Sequence, residues 1–577
     1  TYLDGYMAEV NSVDGQALSP TNFGETDDNG TWVPKKYTGT YGTNGFYLDF
    51  EDTSSVAALG TDSSGNGNTW TVNNVSLTAG TTYDSMKDVP TLTDEDTANF
   101  ATRNPLAYSP SMTFSNGNLT TNGTLASWYG AASTIFVNSG KWYWETTITV
   151  KGTYIQIGAA EEDWLPNSSV ALQSNAYGYY SYNGNAVRDG ASTAYGTTYT
   201  TGDVIGVALD YDNGAIWFSK NGTWQNSATI SEVQAGTTTN AAFTGVTESL
   251  TPANCQYGTA TQNHNYGQRA FAYTQPTGFK KLNTFNLPNS TIEDGSTNFN
   301  TVLYTGTGAI RSVTGVGFQP DFVWGKARSV AYSSNLYDSV RGATKYMYSN
   351  ATSSEVTEAD SLTSFDSDGF STGANAGAGI NYSGVTYVAW NWKAGGTSVS
   401  NGDGSITSTV SANPTAGFSV VTYGGNSTAG ATVGHGLGIV PDMVIVKNRT
   451  GSSGFQNWGV YHSSLLNTQA VFLNTTTAVT ANTTYWNNTT PTASVFSLGY
   501  TGTDGWNITG QNFVAYCFAE VEGYSKFSSY NGNGSTDGPF VYLGFKPAFI
   551  MIKYTVAGIS NWMTYDSTRN TSNVVND

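Results

Sequence analysis

Positive charge is scarce in this sequence: 23 Lys and Arg stand against 42 Asp and Glu, a formal net charge of −19, and no basic run is present. A chain with that balance repels phosphate backbones and anionic membrane surfaces, so neither nucleic acid nor membrane insertion is expected. Histidine is limited to His264, His435 and His462, which leaves little scope for a histidine triad or a multi-histidine metal centre. The two cysteines, Cys255 and Cys517, fall in segments assigned to different domains and are expected to be free thiols. No apolar stretch approaches the length needed to span a bilayer.

Aromatic residues and glycine are plentiful: 15 Trp, 37 Tyr, 26 Phe and 66 Gly among 577 residues. Low charge without loss of aromatics is not the signature of disorder, and the length exceeds what one core can serve, so several folded domains are expected. Alternating strands bounded by Gly, Asn and Asp recur throughout, and turn pairs such as Asn183-Gly184, Asn213-Gly214 and Asn221-Gly222 separate them. The expected fold class is all-β, built as tandem β-sandwich domains of jelly-roll or concanavalin-like type.

The alternation over Tyr2–Val10 reads as the last strand of an earlier sandwich occupying residues 1–12. Residues 13–100 read as a β-rich connecting segment. Within it, Asp62-Ser63-Ser64-Gly65-Asn66-Gly67-Asn68 offers oxygens of the kind that ligate calcium, but its spacing fits no EF-hand loop. A solvated turn is the preferred reading, and no metal or cofactor is assigned.

Residues 101–292 form the next expected sandwich, with core strands Gly140–Glu145, Tyr154–Gly158, Gly202–Asp210 and Gly214–Gly222. Alternation places Val204, Gly206 and Ala208 on one face of a central strand and Ile205, Val207 and Leu209 on the other, and both faces are apolar. The order GKWYWE, YIQIG, GDVIGVALD and IWFSKNG resembles the SPRY family, a two-sheet concanavalin-like sandwich. That resemblance implies an interaction module whose inter-strand loops make the contacts and which carries no catalytic residues.

The second half holds a repeat. Pro320, Pro441 and Pro547 each open an apolar run that ends on Lys326, Lys447 and Lys553, six residues on. Tyr337-Asp338-Ser339-Val340-Arg341 has a twin in Tyr565-Asp566-Ser567-Thr568-Arg569, and Val460-Tyr461-His462-Ser463 fills the same place in the middle copy. Two copies close on aromatic strands, Tyr387–Trp392 and Phe513–Phe518, whereas the third reads as stopping before its own. The boundaries expected are a first sandwich repeat at 293–398, a second at 399–525 and a partial third at 526–577. Pro fixes the start of each strand, the apolar run is buried, and Lys is expected at the solvent end. The Asp and Arg of the YDSxR segment are expected to pair and hold a loop.

Chemistry finds little footing. His435 sits in a glycine-rich turn, and His462 aligns with Asp338 and Asp566, which argues against a fixed chemical role. Glu161, Glu162 and Asp163 beside Trp164 form the least implausible carboxylate cluster, and a solvated loop explains them equally well. The chain is therefore expected not to be an enzyme. Exposed aromatics with adaptable amides favour binding instead, and the candidate contact residues are Trp164, Tyr177, Tyr179, Tyr180, Tyr182 and Asn183.

Across nearly its whole length, through segments Tyr2–Val10, Tyr41–Asp52 and Leu59–Asn68, the SPRY-like unit and the aromatic repeats, the chain resembles tail-fibre or virion-appendage proteins of marine bacteriophages. That resemblance implies a laminin-G-like sandwich ending at residue 12 and a virion structural protein at the virion surface or outside the cell. It also implies attachment to a host cell-surface glycan or protein, contacts with other virion proteins, and self-association as a homo-oligomer such as a trimer. The alternatives are a capsid-decorating or filament-forming structural protein, a secreted bacterial adhesin or lectin and, last, a polysaccharide-degrading spike enzyme.

Overall fold

The computed structural model describes residues 5–26, 32–88, 94–96, 98–162, 164, 175–374, 379–451, 456–500, 505–532, 534, 536, 538–556 and 560–569. Nearly all its regular structure is β, as the strand alternation requires, and it falls into two compact units. One comprises Thr1–Pro288 with Tyr530–Tyr542, the other Asn289–Ser529 with Leu543–Asp577.

In the first unit, residues 5–9 are exposed irregular chain, so among the described residues of the expected Tyr2–Val10 strand only Val10 is extended, opening a strand Val10–Ser12 that pairs with Phe46–Leu48, while residues 2–4 lie outside the described residues. A strand persists only where a neighbour satisfies its backbone, and Phe46–Leu48 reaches no further. The Asp62 turn is closed by its own donors. The Asp62 carboxylate accepts from the N–H groups of Tyr47, Ser64 and Asn68 at 2.8–2.9 Å. Burial works against its charge, but these bonds and the Ser64 hydroxyl outweigh that and hold the carboxyl down at about 2.

The main body of this unit is a sandwich. One sheet of seven strands runs in the order Ala191–Ala194, Asn185–Arg188, Ala176–Tyr180, Tyr154–Ala160, Thr251–Tyr257, Trp128–Ser133, Arg103–Tyr108. The facing sheet of eight strands is centred on Val204–Asp210, Lys141–Val150 and Ala260–Asn265. Ile155 and Ile157 from the first sheet meet Trp142, Trp144, Ile205, Val207, Leu209 and Phe218 from the second in the inter-sheet core. Ala208 belongs to a separate cluster on the outer face with Tyr143, Trp217, Trp224 and Phe279, as the two-faced strand predicts. The hairpin after Ala215–Lys220 turns on Asn221 and Gly222, both at positive φ (49° and 74°), the conformation a two-residue loop demands.

The second unit contains the first two repeat copies and the hairpin of the third, Phe549–Ile552 with Met563–Asp566, while residues 530–542 of the expected third copy cluster with the first unit. In the first copy, Thr386–Trp392 lies between Phe299–Thr305 and Phe322–Ala327. In the second, Asn512–Phe518 lies between Phe418–Gly424 and Met443–Asn448 in the same way. Each sheet has one face on a private core, closed by a small second sheet. The opposite faces meet in a common core where Phe322, Trp324 and Trp390 of the first copy touch Val420, Ile445 and Tyr516 of the second, with Phe549 and Met551 of the third against them. The copies thus fold as one compact unit because each contributes a wall to a shared interior.

The repeated lysines do not all end at solvent. Lys447 is fully buried and donates to the carbonyls of Thr352 (2.9 Å) in the first copy and Gln456 (2.5 Å) in its own, so its strand end is held by carbonyls rather than hydrated. Cys255 and Cys517 are completely buried, one in each unit, and are not bridged to each other.

Candidate functional site

The sequence places six candidate contact residues on the loops of the sandwich, and the structure separates them. Trp164 is 4% exposed and packs with Ala160, Ala176, Ala253 and Cys255 on the outer face of the seven-stranded sheet. Tyr177 and Tyr179 point between the sheets with no exposure. The Tyr179 hydroxyl donates to the Thr197 carbonyl, and that of Tyr177 donates to Glu248 (2.7 Å) beneath the Arg188 guanidinium. These three residues are therefore corrected from contact residues to core, since a side chain without exposure cannot meet a partner. The reason is strand alternation: in Ala176–Tyr180, residues 177 and 179 share the inward face and Tyr180 takes the outward one.

Tyr180, Tyr182 and Asn183 remain available. Tyr182 is 62% exposed, Asn183 is exposed, and Tyr180 is half-buried. Around them the fold gathers three rings not anticipated from sequence. Trp128, Tyr257 and Tyr154 stand opposite one another on three adjacent strands, so their side chains project in one row from the outer face. Trp128 stacks on Tyr154 at 6.0 Å and meets Tyr257 and Tyr180 at 5.9 and 6.0 Å. Tyr154 in turn takes Tyr182 edge-on at 5.3 Å. Trp128, Tyr154, Tyr180 and Tyr257 are all half-buried, which leaves a continuous aromatic edge topped by Tyr182. Burial, with the Tyr154 and Tyr182 hydroxyls adding to it, pushes the Tyr180 phenol up to about 12, so that phenol is uncharged at neutral pH. Pairing in the outward register, Gln156 with Tyr180 and Tyr154 with Tyr257, is the signal that finds this row, and it is legible only once the strand order is known.

Other titratable groups are engaged elsewhere. His264 is buried inside the sandwich, with Arg103 Nη2 and Thr146 Oγ1 each 3.0 Å from Nδ1 and Thr121 Oγ1 3.1 Å from Nε2. Burial, and then the charges of Arg103 and Arg269, hold its imidazole well below the ordinary range, so it is neutral. The Arg103 guanidinium beside it donates to the carbonyls of Pro252 (2.7 Å) and Ala131 (3.2 Å). His435 is buried in its turn, receiving the Leu437 N–H at Nδ1 (3.3 Å) with Nε2 3.1 Å from the Thr492 carbonyl. Glu161 lies 4.0 Å from Arg188, and Asp163 is outside the described residues. Among the described residues no group of three or more His, Cys, Asp or Glu side chains is placed to hold a metal ion, and no helix is long and apolar enough to cross a membrane.

Comparison with known proteins matches two stretches to families: residues 141–269 to the SPRY domain, and residues 294–577 to a domain of unknown function, DUF7483. Among curated proteins the chain is similar to the Ran-binding proteins 9/10 homolog of Drosophila melanogaster, 35% identical over 86 residues. That match covers 14% of this chain and 9% of the fly protein. It is also similar to human Ran-binding protein 9, 34% identical over 86 residues, 14% of this chain and 12% of that one. The chain thus spans only a small part of these relatives. Among solved structures it is similar to the SPRY domain of human HERC1, at 18% identity and a TM-score of 0.24, covering 28% of this chain and 96% of that one.

These findings establish a SPRY domain within an all-β, multi-domain chain. They overturn the assignment to a bacteriophage tail fibre or other virion or surface-appendage protein, because the named relatives are Ran-binding proteins of animals. With that assignment go the virion-surface or extracellular location and the host-attachment role. The resemblance arose from segment order and aromatic repeats, features that any string of β-sandwiches can share.

Proposed function

We propose that the SPRY sandwich is a non-enzymatic protein-binding module whose contact surface is the aromatic cluster of Trp128, Tyr154, Tyr180, Tyr182 and Tyr257. The observation that carries this reading is a row of five mutually packed rings left open on the outer sheet face, with Tyr182 62% exposed at its rim. Rigid aromatic rings give large contact area at low entropic cost, which is why Trp and Tyr dominate the energetic centres of protein interfaces. Packing among the rings fixes them before a partner arrives, so little ordering remains to be done on binding. The names of the similar proteins support a protein as the partner class, and Ran is the first probe to try.

The test uses the full chain. Ran and a displayed library of folded protein domains are assayed against it, with Tyr182→Ser and Trp128→Ala variants in parallel. Binding that falls by about tenfold or more in both variants is expected, the loss of a hot-spot aromatic. Binding that both variants leave unchanged would move the interface elsewhere.

A further inference from the structure

The aromatic row on the outer face of the seven-stranded sheet leaves its polar tips unused. Elsewhere in the sandwich the phenols are engaged: Tyr129 donates to the Gly258 carbonyl (2.7 Å), Tyr211 to the Val137 carbonyl (2.6 Å), Tyr199 to the Tyr179 carbonyl (2.7 Å) and Tyr143 to Glu145 (3.0 Å). The hydroxyls of Tyr154, Tyr180, Tyr182 and Tyr257 and the indole N–H of Trp128 have no hydrogen-bond partner among the described residues, and none of the five is sealed from solvent. A ring with an apolar body and a free polar tip binds through both, so the demands of these tips select the ligand.

The row crosses interior strands. Trp128–Ser133, Thr251–Tyr257, Tyr154–Ala160 and Ala176–Tyr180 are consecutive in the sheet, and each has a neighbour on both sides. A partner therefore cannot dock here as an added strand and must be held through side chains. Those side chains offer donors above all: the indole N–H only donates, and each phenol donates one proton while its oxygen can accept. A peptide laid across them gains by presenting carbonyls, and each N–H it brings needs an acceptor that only the phenol oxygens could supply. The surface is also ridged. Tyr257 and Tyr180 stand at 72° and 55° to Trp128, and Tyr182 at 88° to Tyr154. Trp128 and Tyr154 cover each other by stacking, so the row is poorly suited to a flat sugar ring, which needs an open aromatic face.

We infer that the ligand of this row is a proline-rich peptide in the polyproline II conformation, its main-chain carbonyls on the Tyr154, Tyr257 and Trp128 donors and its pyrrolidine rings among the aromatic ridges. This deepens, and rests on, the reading of the row as a protein-contact surface. Proline brings no backbone N–H, the polyproline helix leaves every carbonyl free to accept, and its preset φ lowers the cost of ordering. Four adjacent strands at about 4.8 Å spacing carry the row across about 14 Å, enough for about five residues of a helix rising about 3.1 Å per residue.

The probe is a fluorescein-labelled decaproline, titrated into the full chain by anisotropy beside a labelled Gly-Ser decapeptide. Saturable binding of decaproline and none of the Gly-Ser peptide is expected. Tyr154→Phe and Tyr257→Phe delete a hydroxyl and keep the ring, and each should weaken decaproline binding about fivefold. Tyr182→Ser should weaken it about tenfold. The inference is overturned if decaproline shows no saturable binding, or if both hydroxyl deletions leave its binding unchanged. Should folded protein domains bind and lose affinity in Tyr182→Ser while decaproline does not bind, this inference falls and the broader reading stands. Should decaproline bind indifferently to Tyr182→Ser and Trp128→Ala, both fall. Cellohexaose bound in place of decaproline, and lost in Tyr182→Ser, would assign the rings to a glycan and overturn both.

Discussion

Asp338 and Asp566 occupy equivalent positions at different depths, and truncating each tests whether depth sets the value of the pair. Asp338 and Arg341 both have fully buried side chains, and Arg341 also donates to the Leu336 carbonyl (2.8 Å) and to Glu355 (3.2 Å). Asp338→Ala leaves the guanidinium buried with Glu355 as its remaining carboxylate and leaves the Tyr516 hydroxyl without its acceptor. Breaking a buried pair costs about 3–5 kcal/mol, and the surviving Glu355 contact puts the expectation at about 3 kcal/mol. In the outer pair the Arg569 side chain is 24% exposed and rehydrates when Asp566 is lost. The main cost of Asp566→Ala is then an unpartnered Trp390 indole, about 1–2 kcal/mol. The assay is native-state amide exchange read on peptides covering Asn335–Tyr348 and Asn512–Phe518, because a chain of two units need not unfold in a single step. A double replacement, Asp338→Leu with Arg341→Met, should recover most of the loss, since the charge requirement disappears with the pair. Equal destabilisation by the two single variants, or no recovery in the double, would refute the reasoning.

Further outcomes follow from the site corrections and from buried titratable groups. Trp164→Ala should destabilise the sandwich by about 3–5 kcal/mol, as deletion of a core Trp does, while Tyr182→Ala should change stability by less than about 0.5 kcal/mol, both by urea titration. His264 is held below its ordinary range, so below about pH 6.5 the unfolded chain takes up a proton that the folded one refuses, and stability falls with falling pH. His264→Gln should flatten that acid limb of the denaturation midpoint. Burial brings Lys447 down to about 8, so between there and its unfolded value the unfolded state holds the extra proton and stability rises with pH. The buried Cys517 thiol, raised by burial, pulls the other way over the same range in both proteins, so the check is comparative: from pH 7.5 to pH 9.5 the denaturation midpoint of Lys447→Met should fall relative to that of the parent chain.

The strands of the sandwich were legible because their alternation is local: Ile205, Val207 and Leu209 face inward as the sequence pattern requires. The same rule applied to Ala176–Tyr180 would have separated Tyr177 and Tyr179 from Tyr180, and grouping the loop by composition alone hid that distinction. Trp128, Tyr154 and Tyr257 lie far apart in sequence and become a row only through strand order, which no local pattern encodes. In the second half, the repeat and the Asp338–Arg341 pair were readable from spacing. The partners supplied by other copies, Tyr516 to Asp338 and Trp390 to Asp566, were not, because they depend on a shared core formed by distant faces.

The two thiols make the chain its own unfolding reporter. Cys255 and Cys517 have no exposure, and burial pushes the Cys517 thiol up to about 12. Neither can react with a thiol reagent until the strand carrying it opens. Since one lies in each compact unit, the labelling rate at each cysteine clocks the opening of its own unit in the unmodified protein.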